Sequence, residues 1–362
     1  MIPVYLKNSL RSLYRWLRPV RAERVLGVEF VNICNLHCAY CFRDEDMLYG
    51  KAHYLDVARL FGLIDSMPKT LKPISISLTG GEPLLHPRFG EVVRGLDERR
   101  VRFKVVTNGW HFDRVYEDLR AARKRLTGIS FSVDGATREA HDAYRGAGSF
   151  DRVMKALALC DAARLPFQFN IVLRTDTVDQ MERIAVLAAR LGARAVNFGA
   201  MLPTSVAAHR RWGLSRAQEM EARREVTALA KILSIPVRVL FGLYDDAPGA
   251  HCSPLNGRAL TLDYKGQLRL CGNLSSFRGA VSEGDVPEGA SSLFLEEGWT
   301  RIGHIGAQAL RRRDDALAKL PVSAGRPDPI LGSPCLSCLS HFDKLHPDLR
   351  ATLLAPMKEV VA

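Results

Sequence analysis

The sequence has no long apolar run, and no stretch approaches the roughly 18 consecutive apolar residues that a membrane-spanning helix needs. Its first twenty residues interleave Lys7, Arg11, Arg15 and Arg18 with the apolar positions, which leaves no uninterrupted segment for a signal peptide. Aromatic residues make up only 8% of the chain, yet apolar residues reach 47%, which excludes wholesale disorder. We therefore expect a cytoplasmic protein without a spanning helix.

Acidic residues are in the minority: 39 Asp and Glu stand against 51 Lys and Arg, which gives a formal charge of +12. This excess suits an anionic partner, such as a phosphorylated substrate, an acidic peptide, RNA or a membrane surface. Basic runs such as 210–211 and 311–313 lack the interleaved aromatic residues of a base-stacking surface, so no nucleic-acid partner is expected.

Residues 1–24 are assigned to a basic amphipathic helix, because residues 4–18 place leucines at helical spacing with basic residues between them. Such a helix usually packs on its own protein, so this is the expected role. Contact with a membrane surface or with an anionic partner is the alternative.

Strand-like and helix-like patterns alternate from residue 25 onward, in six successive units. Such alternation predicts an α/β fold with a parallel sheet and right-handed crossovers. The fold class is predicted to be a partial (β/α)6 TIM barrel over residues 25–234. Short strands and turns follow, with a hairpin predicted around Lys265-Gly266, so residues 235–345 are assigned to a smaller domain and 346–362 to a C-terminal tail.

Three of the eight cysteines, Cys34, Cys38 and Cys41, follow the first predicted strand directly. Without an export signal they should stay reduced, so their spacing indicates metal ligation or redox chemistry. Three thiolates on one loop can hold three irons of a cubane iron–sulfur cluster and leave the fourth iron open. Zinc is the alternative, but it would need a fourth ligand such as His37, which lies inside the loop and is poorly aimed.

A glycine motif, Thr79-Gly80-Gly81-Glu82-Pro83, ends the second predicted strand. Two glycines let the backbone approach a ligand closely, and the carboxylate of Glu82 can receive an ammonium group. Together, the cysteine loop and this motif resemble the signature of the radical S-adenosylmethionine (radical SAM) superfamily, over residues from about 25 to about 200.

The resemblance implies that the cysteine triad ligates a 4Fe–4S cluster whose open iron is chelated by S-adenosylmethionine. The glycine motif would hold the methionine amine, and Tyr40 would lie near the adenine. Polar residues at the ends of later strands could reach the ribose or carboxylate, or serve only as caps and turn formers. The residues assigned to cofactor binding are Tyr40, Gly80, Gly81, Glu82, Asn108, Ser132, Asp134, Arg174 and Asn197.

Four further cysteines, Cys252, Cys271, Cys335 and Cys338, lie in the C-terminal part, and Cys160 is assigned as a buried spectator. A four-cysteine zinc site is one interpretation. With the barrel, the set resembles the SPASM and twitch extensions of radical SAM enzymes, which carry auxiliary 4Fe–4S clusters. Because no cysteine follows Cys338, the shorter twitch type is predicted, with one auxiliary cluster ligated fully by protein.

The resemblance implies an enzyme whose first cluster receives an electron from a flavodoxin or ferredoxin. The cluster would cleave S-adenosylmethionine to a 5′-deoxyadenosyl radical that takes a hydrogen atom from the substrate, with the auxiliary cluster as an electron acceptor. The main prediction is a small-molecule substrate that is sugar-, aminocyclitol- or nucleoside-like. This prediction depends on the length of chain before the cysteine loop. Only about thirty residues precede the loop, too few for a leader-peptide-recognition domain. A maturase of a ribosomally made peptide is the alternative, and a non-enzymatic zinc- or nucleic-acid-binding protein is the alternative of another class.

Overall fold

The structure, a computed structural model, describes residues 24–43, 48–66, 74–202, 210–240, 259–269, 271–272, 292–293 and 347–354. The predicted N-terminal helix lies outside these residues apart from its last position. Cys252, Cys335 and Cys338 lie outside them as well.

One ten-stranded sheet organises the described chain, in the order β10-β9-β8-β1-β2-β3-β4-β5-β6-β7. The eight strands from β8 to β7 are parallel to their neighbours, while β9 and β10 pair antiparallel at the β8 edge. The predicted α/β partial-barrel fold is therefore confirmed. The strands are β1 (Arg24–Glu29), β2 (Ile74–Thr79), β3 (Arg102–Thr107), β4 (Leu126–Ser132), β5 (Phe167–Leu173), β6 (Val196–Ala200), β7 (Val237–Val239), β8 (Ala259–Leu262), β9 (Leu268–Arg269) and β10 (Ser292–Leu293).

Helices between the strands bury their apolar faces against the sheet, as crossover helices of a parallel sheet do. The core combines strand residues such as Leu26, Ile76 and Phe131 with helix residues such as Leu60 and Val92, all at most 2% exposed. The helices are α1 (Val57–Ser66), α2 (Phe89–Glu98), α3 (Phe112–Ala121), α4 (Arg138–Arg145), α5 (Ser149–Ala162), α6 (Met181–Arg190), α7 (Arg216–Ile232) and α8 (Pro347–Leu354).

The parallel sheet extends beyond the six predicted strands. Strand β7 pairs with β6, and β8 pairs in parallel with β1, so both outer strands of the predicted barrel gain a hydrogen-bonded neighbour. The backbone groups of a buried strand need such partners. The predicted hairpin is confirmed: β8 and β9 are antiparallel, and Gly266 in the turn has a φ of +77°.

Helix α4 was not predicted, because it is short, has few apolar residues and is dominated by charged ones. Its start is fixed by a cap, in which the Thr137 side chain accepts from the backbone N–H of Ala140 at 3.3 Å. Among the described residues, no helix is both long and apolar enough to cross a membrane.

Strand β5 alternates Phe and polar residues, so Gln168 and Asn170 share its inner face. Gln168 Nε2 donates to Ser130 Oγ on β4 at 2.6 Å, and Asn197 Nδ2 on β6 donates to Asn170 Oδ1 at 3.0 Å. The inner face of the barrel is therefore polar on these three strands, while its outer face packs against helices.

Candidate functional site

The cysteine loop follows β1 at the carboxyl end of the sheet, where parallel α/β barrels place their chemistry. Cys34, Cys38 and Cys41 are all half-buried and line one cavity of about 440 Å³. Two local hydrogen bonds shape the loop: Cys41 N donates to the Cys38 carbonyl at 3.0 Å, and Leu36 N donates to Cys34 Sγ at 3.4 Å. The loop thus turns all three thiols toward the same space.

The glycine motif fits directly against this loop. Gly80 has a φ of +142°, and a β-carbon there would lie 2.4 Å from the Val31 carbonyl oxygen. A β-carbon on Gly81 would lie 2.1 Å from the Ile33 carbonyl oxygen. Gly81 N donates to Val31 O and Glu82 N to Ile33 O, each at 2.9 Å. The close approach that the glycines permit is therefore to the segment leading into the cysteines, and it fixes where the triad lies.

Glu82 lies at the cavity wall with its carboxylate held by three donors. Oε1 accepts from Leu84 N at 3.1 Å and from Thr107 Oγ1 at 2.7 Å, and Oε2 accepts from Asn108 N at 2.8 Å. Burial raises the pKa of Glu82 to about 7, although these hydrogen bonds oppose the shift. A cation in the cavity would stabilise the ionised form, so the site suits an ammonium group.

Asn108, just beyond β3, joins this wall to the cysteine loop. Its Nδ2 donates to Asn35 Oδ1 at 3.1 Å and lies 3.8 Å from Cys34 Sγ, while its Oδ1 accepts from Trp110 N at 2.9 Å. Ser132 and Asn197, predicted from the ends of later strands, line the same cavity, as does Tyr40.

Two predicted residues, Asp134 and Arg174, are fully buried and lie outside the cavity lining. Asp134 accepts from the Tyr40 hydroxyl, from Arg145 Nε at 2.5 Å and from Val172 N at 3.1 Å. It therefore ties the cysteine loop, α4 and β5 together from behind the cavity.

The guanidinium of Arg174 lies between two aromatic rings, 4.3 Å from the ring centroid of Tyr40 and 4.0 Å from that of Tyr144. Its Nε donates to Asp176 Oδ1 at 2.9 Å. Neither Nη atom has a hydrogen-bond partner in the described part of the chain. Buried N–H donors without an acceptor are costly, so the two Nη groups of Arg174 have donors to offer a carboxylate.

Sequence reasoning missed Asn170 and Arg145, which also line the cavity. The alternation of Phe and polar residues in β5 was a signal for Asn170, because polar positions on one face of a buried strand need partners. Arg145 carried no such signal, since it ends a helix that the apolar pattern did not reveal.

Of the C-terminal cysteines, the structure describes Cys271 alone, half-buried and packed against the apolar core. The next residue, Gly272, lies close to Glu29 at the end of β1, where a β-carbon would be 2.9 Å from Glu29 Oε1. Glu29 forms a buried ion pair with Arg43 at 3.2 Å. The ligand set predicted for an auxiliary cluster stays a prediction.

The donor set of the triad fits an iron–sulfur cluster. Soft sulfur ligands favour such clusters, and each cysteine of a cubane binds a different iron. Within the described residues, no group of three or more His, Cys, Asp or Glu side chains converges on a position for a single metal ion. Three thiols spread around one cavity match a cluster better than they match one zinc ion.

The fold and site together define an α/β barrel with three thiols and a glycine-carboxylate motif at the carboxyl ends of its parallel strands. Residues 28–188, somewhat under half of the chain, match the Radical SAM superfamily, so this part of the chain belongs to that superfamily of enzymes. Membership implies a 4Fe–4S cluster and S-adenosylmethionine as cofactors.

Two curated relatives are similar over about half of the chain. An AdoMet-dependent heme synthase of Methanosarcina barkeri is 33% identical over 51% of this chain and 52% of its own length. A PqqA peptide cyclase of Ruegeria pomeroyi is 31% identical over 57% of this chain and 55% of its own. The chain thus spans about half the length of these relatives.

The crystal structure of Streptococcus suis SuiB bound to the precursor peptide SuiA shares the fold. It superposes with a TM-score of 0.61 at 11% identity, covering 92% of this chain and 75% of SuiB.

Proposed function

We propose that this protein is a radical SAM enzyme that modifies a peptide, with its chemistry at the Cys34, Cys38 and Cys41 loop. The observation that carries the proposal is the convergence of these three thiols and the Glu82 carboxylate on one cavity at the carboxyl end of the barrel. When bound there, the cluster and S-adenosylmethionine would supply reductive cleavage of the sulfonium and hydrogen-atom abstraction from the substrate.

The chain's own residues have three tasks in this proposal. The cysteine triad holds the cluster, and the glycine motif fixes the triad by its bonds to Val31 and Ile33. Glu82 receives the ammonium group of the cofactor, because its carboxylate is already oriented by three donors. Tyr40, Asn108, Ser132 and Asn197 are assigned to the rest of the cofactor as cavity-lining polar groups.

The cavity wall beyond these polar groups is apolar, with Met201, Leu202 and Leu240. Leu240 is 51% exposed, so this apolar surface continues to the outside of the described chain. A substrate side chain could enter along it while the rest of a peptide stays on the surface. The similarity to a PqqA peptide cyclase and to SuiB in complex with its precursor peptide supports a peptide over a free small molecule.

A small-molecule substrate is the second candidate, and the similarity to an AdoMet-dependent heme synthase favours it. Either substrate requires a one-electron donor, for which a flavodoxin or ferredoxin is proposed. An auxiliary cluster on Cys252, Cys271, Cys335 and Cys338 is proposed as the acceptor of the substrate's electron.

The proposal is tested with full-length protein reconstituted anaerobically with iron and sulfide. Under reducing conditions it should convert S-adenosylmethionine to 5′-deoxyadenosine, and the variant with Cys34, Cys38 and Cys41 changed to Ala should not. Cys160→Ala is the matched control. It also removes a thiol, but Cys160 is a fully buried core residue on α5, distant in sequence from the cysteine loop. If the triple variant cleaved S-adenosylmethionine at the wild-type rate, the proposal would be wrong.

The substrate class is tested by adding short peptides encoded beside the gene. A peptide substrate should raise 5′-deoxyadenosine formation and leave the reaction with a changed mass. A set of such peptides that all return unmodified, while a tetrapyrrole is converted, would favour the small-molecule candidate.

A further inference from the structure

A single buried arginine joins a fully buried carboxylate to one cysteine of the triad. Arg145 Nε donates to Asp134 Oδ2 at 2.5 Å, and Arg145 Nη1 lies 3.9 Å from Cys38 Sγ, within reach of an N–H···S hydrogen bond. The arginine side chain is 9% exposed and that of Asp134 is 0% exposed. The guanidinium therefore interacts with both groups with little screening by solvent.

The backbone around Arg145 holds this arrangement in place. Arg145 is the last residue of α4, and Gly146 follows with a φ of +105°, which ends the helix. Within α4, the Asp142 carboxylate accepts from the backbone N–H groups of Gly148 at 2.7 Å and Phe150 at 2.8 Å, both beyond the end of the helix. The turn into α5 is thus tied back onto α4, and the arginine approaches the triad from a well-determined helix end.

The three cysteines differ in what donates to their sulfurs. Cys34 Sγ has neutral donors, Leu36 N at 3.4 Å and Asn108 Nδ2 at 3.8 Å. Among the described residues, the cationic side chain that donates to the triad is Arg145, and it donates to Cys38 Sγ. One edge of the triad is therefore positively charged, and Asp134 partly neutralises that charge from behind.

We propose that Arg145 raises the reduction potential of the cluster at the cysteine triad, with Asp134 limiting the rise. The inference rests on the proposed function, since it takes Cys34, Cys38 and Cys41 as cluster ligands. Reduction adds one electron to the cluster, so a nearby cation and an N–H···S bond stabilise the reduced form more than the oxidised form. The negative charge of Asp134 has the opposite effect, weakened by its greater distance from the sulfur.

The test is a potentiometric titration of the reconstituted full chain, without S-adenosylmethionine, followed by electron paramagnetic resonance. Dithionite supplies the electron that converts the cluster from the 2+ to the 1+ state. The signal to be followed is the one that disappears in the triple Cys34, Cys38, Cys41→Ala variant. This excludes signals from any C-terminal cluster.

Four variants separate the electrostatic role from a structural one. Arg145→Met should shift the midpoint potential of this signal to more negative values, and Asp134→Asn should shift it to more positive values. Arg138→Gln is the matched control, because Arg138 is an exposed residue of the same helix, paired with Asp151, and its loss should leave the potential unchanged. Arg145→Lys, which keeps the charge, should fall between wild type and Arg145→Met and serves as the comparison if Arg145→Met does not load iron.

Opposite shifts for Arg145 and Asp134 variants support the proposal. Shifts of the same sign in both would indicate loosened packing and overturn it, as would an unchanged potential in loaded Arg145→Met and Arg145→Lys. A wild-type protein that binds no iron would fail at the earlier step, the proposed function itself. The iron content measured before each titration distinguishes these two failures.

Discussion

Gly81 and Ile33 approach so closely that a β-carbon on the glycine would lie 2.1 Å from the Ile33 carbonyl oxygen. The obstacle is backbone, which cannot rotate away as a side chain can. The end of β2 and the entry to the cysteine loop are thus built as one unit. The glycine motif and the cysteine triad depend on each other for their positions.

Gly81→Ala should therefore destabilise the fold by at least about 1–3 kcal/mol, the usual cost of an added methyl in a packed place, and should lower iron loading. Gly62→Ala is the matched control, because Gly62 lies inside α1 and a β-carbon there would meet no atom within 4 Å. In a helix interior this change should instead stabilise by about 0.5–1 kcal/mol. Urea unfolding measures both, and equal midpoints for the two variants would contradict the tight fit.

Glu82 makes the stability of the metal-free protein depend on pH. Burial raises its pKa from 4.5 to about 7, so between these values the folded state binds more protons than the unfolded state. The free energy of unfolding should then fall as the pH rises through this window, at about 1.4 kcal/mol for each unit of pKa shift. The amide side chain of the Glu82→Gln variant cannot ionise. The difference in the free energy of unfolding between wild type and variant should therefore become smaller toward high pH.

The measurement is urea unfolding of metal-free wild type and Glu82→Gln at a series of pH values from 4.5 to 7. The variant loses one acceptor, since its amide faces the N–H of Asn108, and should be less stable at the low end by about 1–3 kcal/mol. A constant difference across the window would show that Glu82 keeps an ordinary pKa.

Much of the barrel could be predicted from the sequence because its strands and helices have strong apolar periodicity. The sequence predicts six strands, and β1 to β6 are all present. The glycine motif is predicted to end the second strand, and β2 ends at Thr79, the first residue of that motif. Strand β8 could not be placed on the sheet, because its pairing with β1 joins segments far apart in the chain. Strand β7 has only three residues, too few for an apolar pattern to show.

The candidate site was predictable where a motif carries its own chemistry and not where tertiary contacts decide. The cysteine triad and Glu82 line the cavity because both follow strand ends. Asp134 also follows a strand end, yet its carboxylate turns toward Arg145, a residue of a short polar helix. No spacing in the sequence reveals such a pair.

The C-terminal cysteines predict the total iron content. Wild type should hold about eight irons, as two cubanes, and the Cys335→Ala, Cys338→Ala double variant about four, because a cubane held by two thiolates is poorly retained. If the second cluster accepts the substrate's electron, the variant should still form 5′-deoxyadenosine but give little oxidised product. Iron, sulfide and zinc analysis of wild type and variant measures these contents, with Cys160→Ala as the control. About four irons with one tightly bound zinc in wild type would show a zinc site instead.

Arg174 tests whether a buried residue behind the cavity reaches the cofactor. Arg174→Met removes the ion pair with Asp176 and the stacking on Tyr40 and Tyr144, so the Tm of the ligand-free protein should fall. Both Nη atoms of Arg174 lack partners among the described residues, so their donors are available to a ligand. If these donors bind the carboxylate of S-adenosylmethionine, the variant should bind it roughly 10- to 100-fold more weakly, as expected for a lost hydrogen bond to a charged group.

The rise in Tm on adding S-adenosylmethionine to the reconstituted protein measures this affinity, because a ligand that binds the folded state stabilises it by mass action. Arg183→Met is the matched control, since Arg183 is an exposed residue of α6. The rise should be kept in the control and largely lost in Arg174→Met. An undiminished rise in Arg174→Met would instead limit the role of Arg174 to its contacts with Asp176, Tyr40 and Tyr144. The carboxylate of S-adenosylmethionine would then be bound by the polar residues that line the cavity.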